Sequence, residues 1–397
     1  MNRGWMASLT ACTVALLAVA AGCGGGSSTG STSGGSSSGM ITHIGKGEGQ
    51  LNLVIWEGYA ENGQHKKSVD WVTPFEQQTG CQVHVKNAAS SDEMVQLMEA
   101  DGGKDWDGVS ASGDATNRLI AAKAVAPIDV GLFPDFKQLL PALQSPPHNT
   151  VGGVHYGVSW MWGANVLMYN TKVVKPAPDS WSIVFDNSYP GKLTAYASPI
   201  YIADAALYLK SHNPSLGITD PYELTQPQLD AAVNLLKQQH ANIKKYWALF
   251  ADETQLFKQG DVVAGQAWPY AVSFLQSDGF PVASVIPKEG VTGWADTWMM
   301  SSHAQHPNCM LKWMNYSLDP SVQAQTAAWV TYNPANPQAC NVKPLTPDFC
   351  ASLHENDPNY FKQIQFWKTP LPQCGNGQND CAPYSEWEQK WTDITGG

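Results

Sequence analysis

Residues 285–300 read V-I-P-K-E-G-V-T-G-W-A-D-T-W-M-M. An apolar run and a Pro-Lys-Glu-Gly turn lead into Trp294, Asp296 and Trp298 at every second position. Successive side chains of an extended segment point to opposite faces, so this spacing puts two indoles and a carboxylate on one face. Aromatic walls around one anion form a receptacle for an organic cation. The ring faces attract the charge and the carboxylate accepts charge-assisted hydrogen bonds. A buried strand whose Asp296 merely caps a loop has the same pattern, and the rest of the chain has to decide between them.

Other residues able to do chemistry are less suited to it. The sequence contains no G-x-S-x-G elbow and no H-E-x-x-H helix, the local signatures of common hydrolases and metalloproteases. His303-x-x-His306-x-x-Cys309 matches no standard zinc spacing, and Cys309 has a competing use in a disulfide. Asp105 and Asp107 flank Trp106 and would share a face on an extended run, in the manner of paired glycosidase acids, but they read more simply as loop residues. The expectation is a binding protein with no catalytic residue, no metal and no cofactor, with an exported hydrolase as the alternative from another class.

The chain has 397 residues, a formal net charge of −11 and 16 tryptophans. That length suits two lobes with separate cores. The negative charge disfavours nucleic acid and favours cationic partners. Many tryptophans suit a site built on stacking as well as they suit a core.

Arg3 and the apolar run 11–21 read as an export signal, too short to remain as a membrane span. The run ends in Val19-Ala20-Ala21-Gly22-Cys23, which resembles a bacterial lipobox cut before a lipid-bearing cysteine. Residues 24–39 are almost only Gly, Ser and Thr and behave as a flexible tether. Export places the remaining cysteines in an oxidising compartment. Cys340 with Cys350 and Cys374 with Cys381 would each close a short loop, leaving Cys81 and Cys309 for a long-range link.

The elements that must position the site alternate strand and helix from residue 51 to about 124. Strands are expected at 51–56, 82–86 and 107–112, and helices at 68–78, 92–100 and 115–124. Thr73 to Glu76 offers a capping box and Ser91 a helix cap. This alternation indicates an α/β lobe with a largely parallel sheet. Residues 154–169 read as strand, break and strand, the way a chain passes between lobes. Further strands are expected at 191–197 and 261–268, with Leu229, Val233 and Leu236 on one helical face. Another helix is expected around 311–318. The proline- and cysteine-rich residues after Tyr332 are expected to wrap the surface.

The order of these pieces resembles the spermidine/putrescine-binding branch of ABC-importer substrate-binding proteins. L-N-L-V-I-W-E-G-Y at 51–59 looks like its opening strand. G-V-S-W-M-W-G at 157–163, followed by Tyr169-Asn170, looks like the first interlobe crossing. Ser180-Trp181 with Y-P-G-K at 189–192, G-Q-A-W at 265–268, and I-P-K-E-G at 286–290 with Trp294 and Asp296 are similar to later family segments. The likeness runs from about 51 to about 332.

What the resemblance implies is an α/β, two-lobe periplasmic-binding-protein-like (type II) fold with a hinge and an interlobe ligand cleft. The implied divisions are a signal peptide (1–22), a tether (23–48), a first lobe (49–156 with about 297–340), a second lobe (157–296) and a disulfide-containing C-terminal segment (341–397). The implied aromatic box is Trp56, Tyr59, Trp268 and Trp294, closed by Tyr332. Asp296 would take an ammonium and Ser112 would add a hydrogen bond. Trp298 has no family counterpart as a ligand contact. The family's further acids, expected after residues 193–197, are replaced by Ser198-Pro199-Ile200-Tyr201. Asp114 therefore joins the expected ligand set, with Glu57 and Tyr201 as extra candidates. The implied protein is a monomer on the extracytoplasmic face, lipid-anchored through Cys23, working with a permease and an ATPase. Its ligand would be a polyamine, with another organic cation or a carbohydrate as alternatives.

Overall fold

The computed structural model describes residues 40–355, 357–377 and 379–396. The signal and tether readings at 1–39, including lipidation at Cys23, lie outside the described residues. No helix among those described is long and apolar enough to cross a membrane.

Strand Gln50–Ile55 shows why the chain layers as it does. Leu51, Leu53 and Ile55 enter one core while Val54 enters another, so the sheet is buried on both faces and its strands read as nearly continuous apolar runs. One face is covered by helices Ser91–Glu99 and Gly113–Ala121 through Met94, Met98, Ala115 and Leu119. The other receives Phe75 from helix Val72–Thr79 and Trp313 from helix Pro307–Ser317.

Gln50–Ile55 pairs parallel with Gln82–Asn87 and with Gly108–Ala111. Val291–Met300 then pairs antiparallel with Gly108–Ala111 and with Val158–Ala164, and parallel with Ile364–Phe366. The resulting 7-stranded sheet is mixed rather than largely parallel. A second, 5-stranded sheet contains Val166–Asn170, Leu193–Tyr196, Ile243–Trp247, Ala264–Ala267 and Val282–Val285.

The sheet memberships move the expected lobe boundaries. Val158–Ala164 belongs to the large sheet and Val166–Asn170 to the small one, so the outward crossing falls at Asn165 and not at 156/157. The return falls at 286–290, because Val291–Met300 lies wholly in the large sheet. Each crossing strand stays hydrogen-bonded to the sheet it leaves or joins, which is invisible to apolar patterning.

The two crossings are tied to each other. Asn165 N–H donates to the Thr292 carbonyl at 2.9 Å, and its Nδ2 to Thr292 Oγ1 at 2.7 Å. Thr292 Oγ1 and Gln266 Nε2 both donate to Asp204 Oδ1. The return turn is pinned by Glu289, which accepts from Ser180 and from Trp181 N–H.

Two local expectations are corrected. The first helix begins at Val72 with Thr73 N–H bonded to Asp70, while Glu76 accepts from Val83 instead of closing a capping box. Ser90, not Ser91, caps the next helix, since its side chain accepts from Glu93 N–H. The C-terminal segment does more than wrap the surface: Ile364–Phe366 adds a strand to the large sheet. The disulfides are Cys81–Cys309, Cys340–Cys350 and Cys374–Cys381. Cys309 is thus bonded through its sulfur, and His306 pairs with Asp107 at 2.8 Å, so the histidine–cysteine run is not a ligand set. Asp107 also accepts from the N–H groups of Asn52 and His306, each at 2.8 Å, which is a structural role.

Candidate functional site

Asp296 sits where strand Val291–Met300 is irregular. Its pairing with Val158–Ala164 shifts register between Ala295 and Thr297, and such irregularities re-aim a side chain beside binding sites. The carboxylate is met from two elements. Tyr59, in the turn after the first strand, donates its hydroxyl to Oδ2 at 2.5 Å, and Ser112 donates to Oδ1. Ser112 stands at the N-cap position of helix Gly113–Ala121 but makes no cap bond, because its hydroxyl is committed to Asp296.

Burial raises the Asp296 carboxyl to about 7; the Ser112 and Tyr59 donors work against the rise and the neighbouring Asp114 charge adds to it. Desolvation disfavours the charged form, and opposing donors recover only part of that cost. An ammonium at this place would supply what the protein withholds, a full positive charge next to a buried acid.

Asp296 opens into a cavity of about 440 Å³. Its walls include Trp56, Tyr59, Ser112, Trp268, Trp294 and Tyr332, with Glu57 also on the lining. Trp294 meets Tyr332 edge-to-face at 4.4 Å, and Tyr332 meets Tyr270 at 6.4 Å, so aromatic rings run continuously away from the acid. Trp268 comes from the end of strand Ala264–Ala267 in the small sheet, and Trp294 from the large sheet. The site therefore lies between the two sheets. Gly163 makes room for Trp294: a Cβ there would approach ring atom Cζ2 to 2.7 Å.

Three residues read from the sequence as possible members are not on this lining. Trp298 is buried in a chain of rings that joins Trp160 and Trp313, each at 5.6 Å. Asp114 is turned away in the first turn of its helix, accepting from the Ser91 hydroxyl at 2.9 Å. Burial raises its carboxyl to about 7 as well, with the Ser91 bond opposing. Tyr201 is buried beneath the small sheet's helices, where its hydroxyl accepts from Gln239 at 2.9 Å. Asp204, the first acid after residue 197, is held at the crossings by Gln266 and Thr292.

Other lining residues escaped sequence reasoning. Trp367 follows the short strand Ile364–Phe366 and stacks on Tyr196 with rings 10° apart at 5.9 Å. Its only sequence signal was a tryptophan after alternating apolar residues. Phe250 and Tyr270, stacked at 4.4 Å, add a second aromatic pair. Glu61 and His65 line the same cavity as Glu57; nothing local in the sequence marks either.

The protein-family description "Bacterial extracellular solute-binding protein" matches residues 70–351. The chain is 24% identical over 283 residues to the "Spermidine/putrescine-binding periplasmic protein" of Escherichia coli K12, covering 69% of this chain and 78% of that one. In structure it is similar to a "Putative spermidine/putrescine ABC transporter from Listeria monocytogenes", with TM-score 0.71, 19% identity and coverage of 87% and 99%. It is similar also to the protein MotA from A. tumefaciens B6 in complex with glucopine, with TM-score 0.67, 17% identity and coverage of 87% and 99%. The fold shared with these structures is the two-lobe binding-protein fold.

Proposed function

The chain belongs to the bacterial extracellular solute-binding protein family, and on that footing we propose that it is the substrate-binding component of an ABC importer for a polyamine. The observation that carries this reading is the buried Asp296 carboxylate at the end of an aromatic cavity. A polyamine is a methylene stem with separated ammonium groups. Ring faces take the stem and the acid takes a head group. Placement of the cavity between two sheets suits closure of the lobes about the crossings at 165 and 286–290. The similar protein of Escherichia coli K12, named for spermidine and putrescine binding, points the same way.

Capture without turnover fits a cavity whose buried acid is held by two hydroxyl donors. Delivery would be to a permease driven by an ATPase, from a monomer held at the membrane by a lipid on Cys23. The support for that anchor is the sequence 19–23 and the Gly/Ser tract after it. A carbohydrate would leave the acidic groups of the cavity without a cation.

Tryptophan fluorescence, titrated with spermidine, putrescine, choline, basic amino acids and maltose, tests the reading. Saturable quenching or shift with the polyamines, and ligand recovered unchanged, is expected. A response to maltose alone would mean that the site is not a cation site.

A further inference from the structure

The cavity has a second acidic end that the family-derived site does not contain. Glu61 lies on its lining with only 4% of its surface exposed. Its backbone carbonyl accepts from Trp71 and Val72 N–H, each at 3.1 Å. Gly63 N–H donates to the Val69 carbonyl at 3.0 Å, closing the loop that carries it. These bonds hold the loop's backbone, and among the described residues His65 is the side chain bonded to the carboxylate, its Nδ1 2.8 Å from Oε2.

His65 is 62% exposed at its side chain, whereas its partner is buried, so the imidazole covers Glu61 from the solvent side. The Glu61 hydrogen bond and charge, with a smaller contribution from Glu57, raise the imidazole's affinity for a proton. Tyr270, in the wall of the same cavity, feels both glutamate charges after its own burial. Tyr59, by contrast, feels Asp296. Asp296 is bonded to Tyr59 and Ser112 and Glu61 to His65, so the two acids share no side-chain partner. The Trp294–Tyr332–Tyr270 ring series leads from one toward the other.

Resting on the polyamine reading above, we infer that Glu61, assisted by Glu57, is a second ammonium subsite, and that His65 is a resident counter-charge which the ligand displaces. The cavity then selects an extended aliphatic amine charged at both ends. Asp296 holds one end, the ring series holds the stem, and Glu61 exchanges an imidazolium for the other ammonium. This supplies a second anion in a cleft that lacks acids after residue 197, and it does so from the large-sheet side. A single-headed amine gains nothing from it, because His65 already satisfies Glu61.

Calorimetric titration of the full chain with spermidine and with n-butylamine tests this in the wild type, Glu61→Gln and His65→Gln. The wild type is expected to bind spermidine the more tightly. Glu61→Gln is expected to weaken spermidine tenfold or more while leaving n-butylamine within twofold. His65→Gln is expected to tighten spermidine several-fold and leave n-butylamine unchanged, a gain that a misfolded variant could not show. Equal weakening of both amines in Glu61→Gln, or no change in spermidine in either variant, overturns the subsite while leaving the polyamine reading intact. A wild type that binds neither amine overturns both.

Discussion

Asp296 concentrates the physics of the site in one carboxyl. Its ordinary value of 3.8 is raised to about 7, mainly by burial. The folded, empty protein thus holds a proton there that the unfolded chain releases. That proton favours the folded state at low pH, and the contribution disappears as pH rises through about 7. Asp114 and Asp204, also buried and raised to about 7, act in the same direction. A bound ammonium replaces the proton at Asp296 alone and restores the stabilisation above pH 7. Melting temperatures between pH 5.5 and 8.5, with and without spermidine, are expected to show the empty protein weakening as pH rises. The shift produced by ligand should grow over the same range. A ligand shift that is constant or shrinks with pH would show that the cation does not meet this acid.

At the scale of elements, the cavity depends on close approaches that only glycine permits. Gly163 on strand Val158–Ala164 lies under Trp294, and an added Cβ would also come within 3.1 Å of ring atom Cε2. Gly163→Ala is expected to push the indole into the cavity at an overpacking cost of about 1–3 kcal/mol. Polyamine affinity should fall at least fivefold, with altered tryptophan emission. Unchanged affinity would place the ligand away from Trp294. The alternation of strand Val291–Met300 was readable in advance, and it led to Trp294 and Asp296. It could not reveal that Trp298, one repeat further on, passes beyond the cavity into packing with Trp160. Asp114 was read as a replacement for the acids missing after residue 197, but the first helical turn directs it to Ser91. Trp367 was missed because a three-residue strand, Ile364–Phe366, carries no usable period. Glu61 and His65 were missed because their meaning comes from a cavity assembled from distant segments.

The described residues form two large sheets joined at two crossings and strapped by the C-terminal segment, beside a small two-stranded pair of Thr150–Val151 and Val154–His155. The order of strands and helices was legible because apolar periodicity is local. The crossing positions were not, since they depend on which sheet each strand pairs with. The strap holds elements of both sheets. Thr369 donates to the Asp114 carbonyl at 2.8 Å, and Lys368 pairs with Asp220 at 2.8 Å and also with Glu223. Helix Tyr384–Thr395 reaches Asp230 through Lys390 at 3.0 Å and lays Tyr384 beneath Arg118. Trp367 enters the cavity from this strap, which ties the C-terminal segment to the site. The central claim, that this arrangement captures an organic cation on Asp296, is tested most directly by calorimetry of spermidine binding to the wild type and Asp296→Asn. A saturable single-site isotherm is predicted for the wild type. In the variant, affinity should fall by about 2–5 kcal/mol, the cost of leaving one charge of a buried pair alone. Equal affinity in the two proteins would contradict the claim.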